Sequence, residues 1–510
     1  MTSAVVFRSV SADLAAVTDS LSGASNIKTV LIIGEKGALT SPNAIPFAPL
    51  GLAHDFIAPI ADGLTDHLKS FVGGKAVTVA TVDDKKSRTL GPVRGDSILE
   101  VVGKHAGNDG DAIFIVRLSN DDQILTAAIA IARAFPTFAR KQKETPERTI
   151  HVHFVLAVEP KATVDVAKIQ VVADAVRNAS CLVDTPPNEL NPTTYTENVR
   201  ALWKKQLEPL GVTMTVISGT DLRDRGYGGI WNVGKASQTP PALIVLSHTP
   251  ANASKTVAWV GKGITFDTGG LNLKVGGYMV GMKTDMGGSA AILHAFTATV
   301  LTNTNTHFNL HAVLCVAENS LDSRSFRPDD IITGYSGKTI EVTDTDAEGR
   351  LVLMDGVAHA CKDLNADVVV DMATLTGAQP YATGTRHAGF VSNHRELETL
   401  VEAAGRASGD LAKAMLYCPP YLGADKSFKS EVADMINYNA GGSWRIDAPS
   451  SSAGMFVGAH LVPEEKWVED GEGWWAHIDM ALPSTINGRA SGYGVGILYS
   501  LAESLNAKFA

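Results

Sequence analysis

The chain has 510 residues, 45% of them hydrophobic and 19% charged, and a formal net charge of −10; this is too long for one ordinary domain and enough for two or three sizeable cores. The acidic balance, without any long basic run, disfavours nucleic acid as the main partner, because neutralising phosphates needs clustered Lys and Arg. Four scattered cysteines (Cys181, Cys315, Cys361, Cys418) form neither a C-x-x-C pair nor a disulfide framework, no apolar run reaches the roughly 20 residues that cross a bilayer, and the first residues lack signal or transit character, so a cytoplasmic protein with reduced thiols and no membrane partner is expected.

In chain order, the first third alternates β-rich runs (28–34, 76–82, 112–117, 149–156) with helical patterns, notably 53–72 and 121–134. That alternation predicts an α/β sheet covered by helices. His151 and His153 stand at i and i+2 on a strand and are read as packing or surface residues rather than half of a metal site. Nothing in this third carries a chemical constellation. A helix over about 164–178 then bridges to a second domain. The expected division is 1–160, a structural or assembly domain; 161–185, a linker helix; and 186–510, which carries the chemistry. Each domain is expected to be α/β, with a mainly parallel or mixed sheet flanked by helices.

Breaker-rich Asp184-Thr-Pro-Pro-Asn-Glu-Leu-Asn-Pro192 opens the second domain, followed by a helix (195–206) and a strand (212–217). The glycine run Gly226-Tyr-Gly-Gly-Ile-Trp-Asn-Val-Gly234 fits neither nucleotide-binding pattern. Next, apolar residues 257–260 lead into what reads as a glycine-studded loop carrying Lys262, Asp267, Lys274 and Asp285. Glycines beside almost every charge let backbone approach an ion or substrate closely. A small-residue helix (287–300), buried strands (310–317, 367–372) and a helix (351–364) follow.

Ahead of that last helix, Thr343-Asp-Thr-Asp-Ala-Glu-Gly-Arg-Leu351 sets three carboxylates and an arginine close together. If this backbone is extended, Asp344, Asp346 and Glu348 project to one side and converge on a metal; alternatively it is a solvated acidic turn. The upstream cluster favours the first. Asp267, Asp285, Asp346 and Glu348 suffice for two divalent ions sharing a bridging carboxylate, with no histidine required. Lys262 is then either a neutral ligand or an ion-pair partner, and Arg350 either an anion site or a counter-charge to its neighbours.

Four segments, Gly261-Lys-Gly-Ile-Thr-Phe-Asp-Thr-Gly-Gly270, Lys274 seven residues past Asp267, Asp285-Met-Gly-Gly288 and Thr345-Asp-Ala-Glu-Gly-Arg-Leu351, resemble in order and spacing the signatures of the M17 leucyl aminopeptidases, cytosolic two-metal exopeptidases. The resemblance runs from about Cys181 to the C-terminus. Asp344 stands where the family usually has Asn, Val275 where it has Pro, and the 437–456 segment looks longer than the family's glycine-rich turn.

The resemblance implies two divalent ions per subunit, Zn or Mn, with Mg or Co as alternatives. Lys262, Asp267, Asp285 and Glu348 would hold one, and Asp267, Asp346 and Glu348 the other, with the Asp346 carbonyl helping. Lys274 would stabilise the oxyanion, and Arg350 would hold bicarbonate or a water that takes the proton. Met282 and the segment containing Thr374, Leu375 and Gly377 would border the side-chain pocket. The implied reaction is release of N-terminal leucine and other apolar residues from peptides with a free amino terminus, by a water activated between two metals, in a homohexamer. Two readings from other classes stand beside it: a two-metal phosphoesterase and a non-catalytic DNA-binding protein.

Overall fold

Alternating strands and helices gather into two compact units, residues 1–177 with 406–409 and residues 178–405 with 410–510. The computed structural model describes residues 3–12, 17, 20–21, 26–41, 45–142, 147–439 and 448–510; most of the unusual part of the 437–456 segment, residues 440–447, lies outside them. Both units are α/β, as the sequence pattern implies.

The first unit is a six-stranded sheet of β1 (Ala4–Ser11), β2 (Ile27–Glu35), β3 (His67–Val72), β4 (Lys75–Val82), β5 (Asp111–Leu118) and β6 (Thr149–Leu156), in the order β1-β6-β5-β2-β4-β3. All neighbours are parallel except β3 and β4. Burial on both faces explains the unbroken apolar run Val30-Leu-Ile-Ile33, none of it exposed. The long helix expected over 53–72 is absent. Short helical turns at His54–Ile57 and Ala58–Ala61 end at Gly63, which has a φ of +75°, and β3 then alternates exposed and half-buried residues with period two. Strand β1 and the helix Gly95–His105 were not anticipated. His151 accepts a hydrogen bond from Arg8 at 3.0 Å and His153 bonds Ser9 at 2.8 Å, and neither falls in a group of metal-ligating side chains among the described residues. The bridging helix runs Val166–Asp184, longer than its periodicity indicated.

The second unit centres on an eight-stranded mixed sheet. Its strands are β7 (Thr213–Ser218), β8 (Ala242–His248), β9 (Lys255–Asp267), β10 (Phe308–Asn319), β13 (Val368–Ala373), β14 (Ala388–Ser392), β15 (Ala412–Ala414) and β17 (Trp474–Asp479), in the order β15-β14-β17-β13-β9-β10-β8-β7. A small sheet adds β11 (Ile331–Thr333), β12 (Thr339–Glu341) and β16 (Met435–Ile436). The supposed loop after residue 260 is instead strand: β9 continues through Lys262 to Asp267. Its glycines serve packing. A Cβ on Gly261 would lie 2.6 Å from the Ser289 Cα, so the helix Gly287–Leu301 crosses directly on the strand.

The four central strands β9, β10, β13 and β17 run parallel, and their C-terminal ends share one edge: Asp267 is in register with Asn319, and Ala373 with Asp479. Open α/β sheets bind ligands at this edge. All four cysteines are free, and no described helix is long and apolar enough to cross a membrane.

Candidate active site

Three elements bring the charged side chains together at that edge. Strand β9 supplies Lys262 from its middle and Asp267 from its last position, Asp285 follows a turn of 3-10 helix at Met282–Thr284, and Glu348 is the first residue of the helix Glu348–Lys362. Carboxylate oxygens of Asp267, Asp285 and Glu348 lie within 4.8 Å of one another, and all three residues are buried. Lys262 donates to Asp285 Oδ1 at 2.8 Å and pairs with Glu348 at 2.9 Å. Lys274 lies 2.9 Å from Asp267 Oδ2 and 2.6 Å from Asp346 Oδ1, which places Asp346 at the rim of the same cluster.

Each carboxylate is aimed by neighbours. Asp267 Oδ1 accepts the Gly269 N–H at 2.8 Å and the Asn319 amide at 2.9 Å, which turns Oδ2 toward Lys274. Gly269 has a φ of +85°, and a Cβ there would meet the Asn272 carbonyl at 2.5 Å, so only glycine makes this turn. Thr374 donates to Asp285 Oδ1 at 2.8 Å while its carbonyl accepts from Lys262 at 3.1 Å. Asp285 Oδ2, although buried, has no hydrogen-bond partner.

The acidic run is not an extended strand. Residues 343–347 form a turn in which Asp344 Oδ1 accepts the Asp346 N–H at 2.8 Å. A short Asp side chain favours bonding backbone two residues on, and this competes with extension. Asp346 and Glu348 still reach the cluster; Asp344 does not join the three-carboxylate group and instead lines the neighbouring cavity.

Four carboxylates face two ammonium groups in a dry place. Burial pushes the acids of Asp285 and Glu348 upward, their mutual repulsion adds to it, and Asp346 is held up to about 7. The surrounding carboxylates conversely hold both lysines charged against burial. Excess negative charge, an orphaned buried oxygen and a donor set of hard oxygens with one amine fit divalent cations. A cation would also favour a neutral Lys262.

Arg350, in the first turn of the helix, donates to the Asn437 carbonyl at 2.8 Å and lies 5.6 to 5.8 Å from the ring centroids of Phe428, Tyr438 and Phe456. Its Nε has no partner, and burial lowers its pKa to about 10. It faces a cavity of about 910 Å³ whose walls include Asp346, Glu348, Leu375, Gly377, Met415 and Phe428. Leu375 and Gly377 therefore line the space beside the cluster; Thr374 sits beneath it, bonded to Asp285, and Met282 is half-buried in the turn ahead of Asp285, outside the cavity wall. Sequence reasoning assigned no role to Asn319, Asn437 or Asp479, although Asn437 opens the 437–456 segment.

Residues 177–499 match the catalytic domain of the cytosol aminopeptidase family, and residues 28–144 match M17 aminopeptidase N-terminal domain 2. Among curated relatives, a human protein named probable aminopeptidase NPEPL1 is 44% identical, covering 83% of this chain and 79% of its own. Leucine aminopeptidase 1 of Caenorhabditis elegans is 38% identical, covering 82% of each. Among solved structures, the leucyl aminopeptidase of Trypanosoma brucei in complex with bestatin superposes with a TM-score of 0.87 at 34% identity, covering 99% of this chain and 96% of that one.

Proposed function

The chain belongs to the M17 cytosol aminopeptidase family, and on that premise we propose that it releases N-terminal amino acids, leucine and other apolar residues first, from peptides with a free amino terminus. It is a metal-dependent peptide hydrolase. The observation that carries the finer reading is the buried trio Asp267, Asp285 and Glu348 beside Lys262, next to a largely apolar cavity.

Lys262, Asp267, Asp285 and Glu348 would hold one divalent ion, and Asp267, Asp346 and Glu348 a second, Zn or Mn, with Mg or Co as alternatives. When bound, such ions polarise the scissile carbonyl and lower the pKa of water from about 16 toward 7. Lys274 keeps its proton and presents an ammonium at the cluster's rim, where it compensates charge developing on the carbonyl oxygen. Arg350, its Nε unpartnered, offers a guanidinium for a planar anion such as bicarbonate, or a water, that receives the proton. Leu375, Met415, Leu416 and Phe428 give the cavity its apolar wall. Leucine-like side chains gain most there, although one methylene discriminates by only about 1–3 kcal/mol.

The same reading divides the chain into a structural or assembly domain (1–160), a linker helix (161–185) and a catalytic domain (186–510), and assigns a cytoplasmic homohexamer, which sedimentation would check. Mass spectrometry of a peptide with an apolar N-terminus, incubated with metal-loaded protein, tests the activity. Stepwise loss of residues from the amino end is expected; internal fragments would overturn the exopeptidase assignment.

A further inference from the structure

Asp479 ends strand β17 and is wholly buried. Its oxygens collect donors from three separate segments. Oδ1 accepts the N–H groups of Leu375 at 3.2 Å, Ala481 at 3.3 Å and Thr376 at 3.4 Å. Oδ2 accepts the hydroxyls of Thr376 and Ser450, each at 2.6 Å, the short separation of a hydroxyl bonded to a carboxylate. Leu375, Thr376 and Ser450 all line the cavity beside the acidic cluster, whereas Asp479 stands behind them.

The pairing of strands puts it there: Ala373, the last residue of β13, is in register with Asp479, so the chain leaving β13 turns over the end of β17. One side of that turn is fastened to the cluster through Thr374, which bonds Asp285 and Lys262. The other side is fastened only through Asp479 among the side-chain acceptors described for Leu375 and Thr376. Ser450 is the second residue of the helix Pro449–Gly458, which forms another part of the cavity wall.

We infer that Asp479 is a positioning residue: it ties the 375–377 segment to the first turn of the helix Pro449–Gly458 and thereby sets the pocket that takes the substrate's N-terminal side chain. The inference rests on the aminopeptidase reading. Without Asp479 the segment stays attached to the cluster at Thr374 but loses its far anchor, so substrate fit suffers while metal binding does not.

The test compares wild type with Asp479→Ala and Asp479→Asn. An amide keeps one acceptor for the three N–H groups and can donate to both hydroxyls, so it restores most of the geometry. Because a misfit of one methylene in an apolar side-chain pocket is worth about 10- to 200-fold, Asp479→Ala is expected to raise KM for leucine amide about tenfold, with kcat within about threefold. The leucine-over-alanine preference should shrink, Asp479→Asn should fall between, and metal content should be unchanged. Calorimetric binding of L-leucine, which needs no turnover, should weaken in parallel. Lost metal, or a fall in kcat with KM, side-chain preference and leucine affinity unaltered, would overturn the inference. If Asp479→Ala does not fold, wild-type KM and preference in Asp479→Asn, with unchanged leucine affinity, would overturn it too. Failure of the wild type to hydrolyse any free-amine substrate would sink the activity reading alone, since the leucine titrations still decide the role of Asp479.

Discussion

The Lys262 ammonium lies 2.9 Å from the Glu348 carboxylate, and neither side chain is more than 3% exposed. A strand interior and a helix start thus meet as an ion pair in a place water barely reaches. Two further carboxylates, Asp267 and Asp285, share the spot. Such an arrangement stores unbalanced charge, and its members should separate by role when removed. Asp267→Ala is expected to lose bound metal. Lys274→Ala should keep metal and lower kcat by about 10²- to 10³-fold, the usual effect of deleting an oxyanion-stabilising donor. Metal analysis alongside steady-state kinetics checks both; unchanged turnover in Lys274→Ala would remove its assigned role.

Asp344 bonds the Asp346 N–H at 2.8 Å. An asparagine oxygen can accept the same bond, so Asp344→Asn should fold and turn over substrate normally. Removing a nearby negative charge should weaken metal binding by about tenfold or less, at the low end of effects seen for groups that orient ligands. Competition with a chelator of known affinity measures it.

Asp355 lies on the same helix but accepts N–H groups of Ile230 and Tyr335, and burial raises its pKa to about 7. A carboxyl raised in the folded state binds its proton more tightly there than in the unfolded chain, where the value is about 3.9. Its contribution to stability is full below that value and is lost as pH rises to about 7. The melting temperature of wild type relative to Asp355→Asn should therefore fall between about pH 4 and 7 and level off above. Melting curves of the metal-free proteins across that range provide the check.

Two glycines should respond in opposite ways. A Cβ on Gly229 would sit 2.0 Å from the Leu351 carbonyl, in the turn that follows Arg350, whereas one on Gly377 meets nothing within 4 Å. Gly229→Ala should cost about 1–3 kcal/mol or more in urea unfolding, the range for overpacked sites. Gly377→Ala should unfold like wild type, yet raise KM for bulky N-terminal residues by narrowing the cavity.

The metal-ligand candidates were legible because they come in short runs. Asp346, Glu348 and Arg350 span five residues, and Lys262 to Asp285 fall within one strand and the turn after it. Long apolar runs such as Val30–Ile33 likewise disclosed the buried parallel strands. Glycine misled at residues 261 and 263, which read as loop but sit in β9, where the helix beneath Gly261 and the Cys315 carbonyl beside Gly263 come too close for a side chain. That approach is tertiary and leaves no local pattern. Asp344 misled through its own backbone bond, which bends the acidic run. Asn319 reaches Asp267 and Asp479 reaches Leu375 across more than 50 positions, a separation that leaves no local pattern to connect them to the site.

The central claim is that this cluster, loaded with divalent metal, cleaves next to a free amino terminus. The most direct measurement is hydrolysis of leucine amide and its N-acetylated twin by chelator-stripped protein, before and after adding Mn²⁺ or Zn²⁺. Activity restored by metal on the free-amine substrate alone is the predicted result; equal cleavage of both substrates, or of neither despite confirmed metal uptake, would contradict it.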